Sequence, residues 1–129
     1  MTTTVLTKYR GKKEFILAYG ELISAARHRG TVTYQEIAEL VGLPTRGSYM
    51  GAEIGHLLGE ISEDEHRHGR PMLSAIAVSV SGMPGPGFFE LARNLGKLDT
   101  AGAEQERDFW KKEKVAVYAT WQRSFKELA

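Results

Sequence analysis

The stretch Gly30 to Ile61, GTVTYQEIAELVGLPTRGSYMGAEIGHLLGEI, constrains this chain more than any other. Thr33 stands where a side chain caps a helix, and Glu36 three residues later completes a capping box. Val32 and Ile37 flank the cap at the spacing of a hydrophobic staple. Gly42, Leu43 and Pro44 then force the helix to stop and the chain to turn. A second amphipathic segment follows, with Met50, Ile54, Leu57, Leu58 and Ile61 at helical spacing. Two short helices joined by a glycine-containing turn have the helix-turn-helix layout, whose second helix can enter a DNA groove. The same pattern also describes a plain helical hairpin in a core.

The flanks add a coarse frame. From Lys12 to about His28, residues Phe15, Ile16, Tyr19, Leu22, Ile23 and Ala26 form one apolar helix face. Arg27, His28 and Arg29 fall in its last turn, where positive charge suits the helix dipole, and Gly30 ends it. Residues 1–10 read as a short extended segment or a frayed tail. After the central element, Ser62 to Arg70 reads as a polar connector. Leu73 to Val80 reads as a strand, with Ile76, Val78 and Val80 alternating with small residues. The glycine- and proline-rich loop Ser81 to Gly87 excludes helix and central strand. It suits a rigid corner, or a loop whose backbone approaches a ligand. A short helix is expected over Phe88 to Leu98. Asp99 or Thr100 is expected to cap a long final helix from about Ala101 or Ala103 to Leu128. The stripe Trp110, Val117, Tyr118, Trp121, Phe125 and Leu128 on that helix is a core face or a dimer seam.

Composition removes several function classes. At 129 residues with 42% hydrophobic content, the chain can bury one real core. No run reaches the roughly 20 apolar residues that cross a bilayer, so no membrane segment is expected. The N-terminus lacks the pattern of a secretory signal. The absence of cysteine excludes disulfides, thiolate metal sites and thiol nucleophiles, and points to a reducing, cytoplasmic setting. Net charge is +1, so any nucleic-acid surface has to be local. Lys8 to Arg29 is basic and Glu53 to Glu65 is acidic.

The chemistry-bearing clusters are few. His56 and Glu60 share a helix face at four-residue spacing, and His66 and His68 follow. These four could make an N/O metal site of a nuclease or hydrolase, but they match no metal signature. The Gly82 to Gly87 segment, GMPGPG, lacks the lysine and hydroxyl of a phosphate loop. Ser74, Ser79 and Ser81 sit in no nucleophile elbow. No catalytic residue, cofactor or metal is therefore assigned. The second helix carries many small residues, Gly47, Ser48, Gly51, Ala52 and Gly55, which admit close approach of a nucleic-acid backbone or of another helix.

Gly30-Thr-Val-Thr-Tyr34-Gln-Glu-Ile-Ala38, then Gly42 and Pro44, then Ala52-Glu-Ile-Gly55, then Pro71 opening an apolar segment, resembles the winged-helix DNA-binding domain of the O6-alkylguanine-DNA alkyltransferases and alkyltransferase-like proteins. The resemblance covers about residues 12–90. It implies minor-groove binding with a base flipped from the stack. It places Tyr34 beside the flipped nucleotide's phosphate and Thr33 near the backbone. The family's Pro-Cys-His-Arg box is replaced by Pro71-Met72-Leu73-Ser74, and the chain has no cysteine, so alkyl transfer to a thiolate is excluded. The arginine that fills the flipped base's place falls near Ala52, leaving Arg46 and Tyr49 as the nearest substitutes.

The expectation is thus a single α+β domain over residues 1–129. It is mostly helical, with a winged-helix-like core over 12–90 and a long C-terminal helix over 99–129. The expected function is non-catalytic binding of nucleic acid, DNA above all. Thr33, Tyr34, Thr45, Arg46, Ser48 and Tyr49 would form the contact surface. The alternatives are a protein-interaction module or homodimer using the aromatic C-terminal seam, and the metal-dependent nuclease or hydrolase.

Overall fold

The computed structural model describes residues 5–122, and they are mostly helical. Helix α1 (Lys13–Arg27) buries Ala18, Leu22 and Ala26 along one face. Strand β1 (Val32–Thr33) leads directly into α2 (Tyr34–Val41). Both halves of the expected capping box form: the Glu36 N–H donates to the Thr33 hydroxyl at 3.1 Å, and the Thr33 N–H donates to the Glu36 carboxylate at 2.8 Å. Gly42 ends α2 in the left-handed region at φ +83°, and the Leu43 N–H closes back on the Ala38 carbonyl at 2.8 Å. Helix α3 (Gly47–Arg67) crosses the centre of the molecule. A 3₁₀ turn (Leu73–Ile76) and strand β2 (Ala77–Val78) follow, then α4 (Pro86–Asn94) and α5 (Ala103–Trp121). Strands β1 and β2 pair in parallel, with Val32 opposite Ala77 and Thr33 opposite Val78. None of the helices in the described residues is long and apolar enough to cross a membrane.

Four expectations are corrected. The supposed connector Ser62 to Arg70 is mostly helix, because α3 continues to Arg67. Its acidic residues are not solvated. Glu60, Glu63 and Glu65 are buried, as is Ser62. Arg67 pairs with Glu63 from the next turn at 2.9 Å, but the main partners of Glu60 and Glu63 come from about fifty residues away, where no local pattern reveals them. The backbone N–H groups of Lys8, Tyr9 and Arg10 donate to the Glu60 carboxylate at 3.0, 2.8 and 3.2 Å, and the Val5 N–H donates to Glu63 at 2.8 Å. The Arg10 guanidinium bridges Glu63 and Asp64 at 2.8 and 2.9 Å. Residues 5–10 are therefore a strap anchored on α3 by charge-assisted hydrogen bonds, not a frayed tail. On another side of α3, Glu65 accepts from Arg70 and from the Tyr19 hydroxyl.

The expected strand Leu73 to Val80 shrinks to two residues. Met72 through Val78 are all buried, so this segment has no half-exposed face to enforce alternation. Val80, expected on the bulky buried face, is 84% exposed. Neither Asp99 nor Thr100 caps the last helix; Gly102 stands at its N-cap with φ +116°.

Helix α5 faces the chain's own core. Trp110 and Val117 are buried, and the Trp110 indole N–H donates to the Ala75 carbonyl at 2.8 Å. Buried Glu113 accepts the Met72 N–H at 2.8 Å and an ion pair from Lys97. The Tyr118 hydroxyl donates to the Gly30 carbonyl at 2.8 Å, tying α5 to the loop after α1. Phe125 and Leu128 of the aromatic stripe lie outside the described residues.

Candidate functional site

Along α3, Ser48, Gly51, Gly55 and Gly59 recur at three- and four-residue spacing and so share one face. Glycine is the least favourable residue for a helix interior after proline, costing about 0.8–1.0 kcal/mol relative to alanine. Packing does not demand the first two. A Cβ placed on Gly51 or on Gly55 meets no neighbouring atom within 4 Å, whereas one on Gly59 reaches the Val5 methyls at 3.7 and 3.8 Å. The face thus opens outward along Gly51 and Gly55 and closes at Gly59 under the strap.

That face forms one wall of a cavity of about 350 Å³. The other walls come from Tyr34, Ser74, and the Gly85-Pro86-Gly87-Phe88 start of α4, with Ile54, Leu58 and Leu91 beneath. The loop from Ser79 to Gly85 delivers this wall. It is held by the Ser79 N–H on the Met83 carbonyl at 2.8 Å and by the Gly85 N–H on the Tyr34 hydroxyl oxygen at 2.6 Å. The glycine-proline loop is thereby an ordered corner leading from β2 into α4. Burial raises the Tyr34 pKa, so its phenol stays protonated. Ser74 is 5% exposed; its hydroxyl accepts from Ser62 at 2.7 Å while its N–H donates to the Ser62 oxygen at 3.0 Å.

The six residues expected at the interface separate into two groups. Thr45, Arg46, Ser48 and Tyr49 are brought together around the N-terminus of α3 and are all exposed, Tyr49 to 58%. Arg46 is the N-cap residue, with no side-chain capping bond. Thr33 is different, because its hydroxyl is engaged in capping α2. Tyr34 lines the cavity, and its oxygen is occupied by Gly85. Ser74 was not expected as a wall residue; nothing local marks it, because it reaches the cavity only through packing of α3 against the segments that follow it, whereas Gly85 belongs to the glycine-proline loop expected to form a corner or to approach a ligand.

The histidine-carboxylate cluster does not assemble. The His56 ring Nε2 lies 2.6 Å from the Leu6 carbonyl, Glu60 is engaged by the strap, and the His68 ring Nδ1 lies 2.7 Å from the Asp64 carbonyl. Among the described residues no group of three or more His, Cys, Asp or Glu side chains could hold a metal ion. The reason is geometric: His56 and Glu60 face the strap, whereas His66 and His68 end the helix two turns further on.

No protein-family model, curated protein or solved structure matches this chain.

Proposed function

We propose that this chain is a non-catalytic nucleic-acid-binding module, with DNA as its target, built on a winged-helix-like arrangement of α1, α2 and α3. One observation carries the reading. The exposed N-terminal turn of α3, with Arg46, Ser48 and Tyr49, runs into a glycine face that no other part of the described chain covers at Gly51 and Gly55. A bare helix backbone admits a sugar-phosphate chain at close range, and an N-terminal turn offers N–H groups and the positive end of the dipole to phosphate. The α2-turn-α3 layout supports the same reading; β1 and β2 run parallel, so they are not the antiparallel hairpin of a wing. A reducing compartment such as the cytoplasm suits a chain without cysteine.

Fluorescence anisotropy with a labelled duplex and with a single strand, at about 50 and 200 mM salt, tests the proposal. Binding is expected to weaken with salt. Arg46→Ala is expected to lower the affinity for all sequences alike and to reduce the salt slope by about one. Absence of binding to either nucleic acid at the lower salt would refute it.

A further inference from the structure

We propose that the cavity between the glycine face of α3 and the start of α4 is a binding site for a small, neutral, largely apolar molecule carrying a carbonyl oxygen. The inference shares the Gly51 and Gly55 face with the nucleic-acid reading but concerns a free ligand taken up by the protein alone, so the two are tested separately.

Four observations combine. The first is size. A volume of about 350 Å³ lies near the lower end of small-molecule sites and suits a single substituted ring, not a nucleotide cofactor. The second is polarity. The walls are glycine backbone, Ile54, Leu58, Pro86, Phe88 and Leu91, so water filling this space would find few of the two to four polar partners it needs. An apolar body replacing that water gains.

The third is charge. Tyr34 is the one titratable residue in the lining, and burial keeps it neutral. The start of α4 does not make an anion cradle. Pro86 at its first position has no N–H, the Gly85 N–H is held by Tyr34, and the Phe88 N–H turns back to the Gly85 carbonyl at 3.2 Å, which leaves the single N–H of Gly87, enough for one neutral acceptor and too few for an anion. An ionised ligand would therefore enter unpaired.

The fourth is a buried donor. Ser62 gives its hydroxyl hydrogen to Ser74, so the Ser74 hydroxyl hydrogen has no acceptor among the described residues. Ser74 is 95% removed from solvent, from its 5% exposure, and sits in the cavity wall. A carbonyl oxygen, which only accepts, satisfies that donor.

The test uses the full chain and three probes of one size: acetophenone (neutral, with a carbonyl), ethylbenzene (neutral, without an acceptor) and benzoate (ionised). Titrations are followed by amide chemical shifts and by thermal shift, without nucleic acid. Acetophenone is expected to bind and to move the amides of Gly55, Leu58 and Gly87. Ethylbenzene is expected to bind about three- to tenfold more weakly, the worth of one hydrogen bond. Benzoate is expected to bind more than about a hundredfold more weakly. Gly55→Leu, at a position with open space for a side chain, is expected to fill the cavity and abolish binding of all three without unfolding the helix. Ser74→Ala with Tyr34→Phe, which removes both free hydroxyl hydrogens in the wall, is expected to reduce the preference for acetophenone over ethylbenzene at least about threefold. Failure of acetophenone to bind, benzoate binding as well as acetophenone, or binding that survives Gly55→Leu would each overturn the proposal. Failure of the duplex titration with acetophenone still bound would remove only the nucleic-acid reading.

Discussion

Replacing Gly55 with alanine should make this protein more stable while making it a worse binder of nucleic acid. Gly55 is the ninth residue of α3, well inside the helix, and its backbone has ordinary helical torsions. A methyl group there meets nothing within 4 Å, so no steric cost opposes the gain in helix propensity. That gain is about 0.8–1.0 kcal/mol, from the lower backbone entropy of alanine in the unfolded chain. For a 129-residue domain this corresponds to a rise in Tm of roughly 3–5 °C. Urea unfolding followed by circular dichroism should show a higher midpoint with an unchanged slope, because the area exposed on unfolding hardly changes. Duplex affinity should fall, since the added methyl stands where a sugar-phosphate chain approaches the helix. Gly42→Ala is the internal contrast: at φ +83° alanine is strained, and stability should drop by about 1 kcal/mol. A Gly55→Ala protein that is less stable than the parent would show that something packs on Gly55. It would refute the open face on which both the nucleic-acid and the cavity readings depend.

The strap, the acid response and the α5 anchor give three more expectations. Glu60→Gln leaves one acceptor oxygen for the three strap N–H groups and turns an amide donor toward them, so unfolding should cost about 2–4 kcal/mol less, and hydrogen exchange at residues 8–10 should rise. Lys8, and then the Tyr9 hydroxyl, hold the Glu53 carboxyl below its ordinary pKa of 4.5. The unfolded chain therefore binds that proton more tightly than the folded one. This anchor contributes fully above the ordinary carboxylate pKa and is lost as pH falls through the lower folded value, which the amide shifts of Lys8 and Tyr9 should report during an acid titration. Trp110→Phe keeps the ring but leaves the Ala75 carbonyl without its indole donor, and chemical denaturation should show a loss of about 1–3 kcal/mol.

Local signals were legible wherever a helix end is made by its own residues. The Thr33–Glu36 capping box and the left-handed stop at Gly42 are relations over three to five residues, and they form as their spacing predicts. The apolar faces of α1 and α4 follow from helical period in the same way, except that Ile16, expected on the α1 face, is 66% exposed. Periodicity failed where burial is complete. Met72 to Val78 is buried throughout, its 3₁₀ turn packed against α1, α3 and α5, so neither a two-residue nor a 3.6-residue repeat had to be written into it.

The acidic run is the clearest case of a misleading local signal. Glu60, Glu63, Asp64 and Glu65 look like part of a solvated connector because a run of charged side chains ordinarily stays in water. Here Arg67 and Arg70 supply counter-charge from nearby in the chain, and the rest comes from Val5 to Arg10, which only the folded chain brings within hydrogen-bond distance.

By itself, then, the sequence determined the presence of the five α-helices but not the end of α3, together with the turn between α2 and α3, the small residues on α3 and the exclusion of thiol chemistry. Each rests on residue type or short-range spacing. The tertiary structure alone decided which carboxylates are buried and what neutralises them. It decided that Trp110 faces the core, and that the glycines of α3 border an open cavity with Ser74 in its wall. These are relations between segments far apart in the chain, and burial and hydrogen bonding across such distances exist only once the whole core has formed.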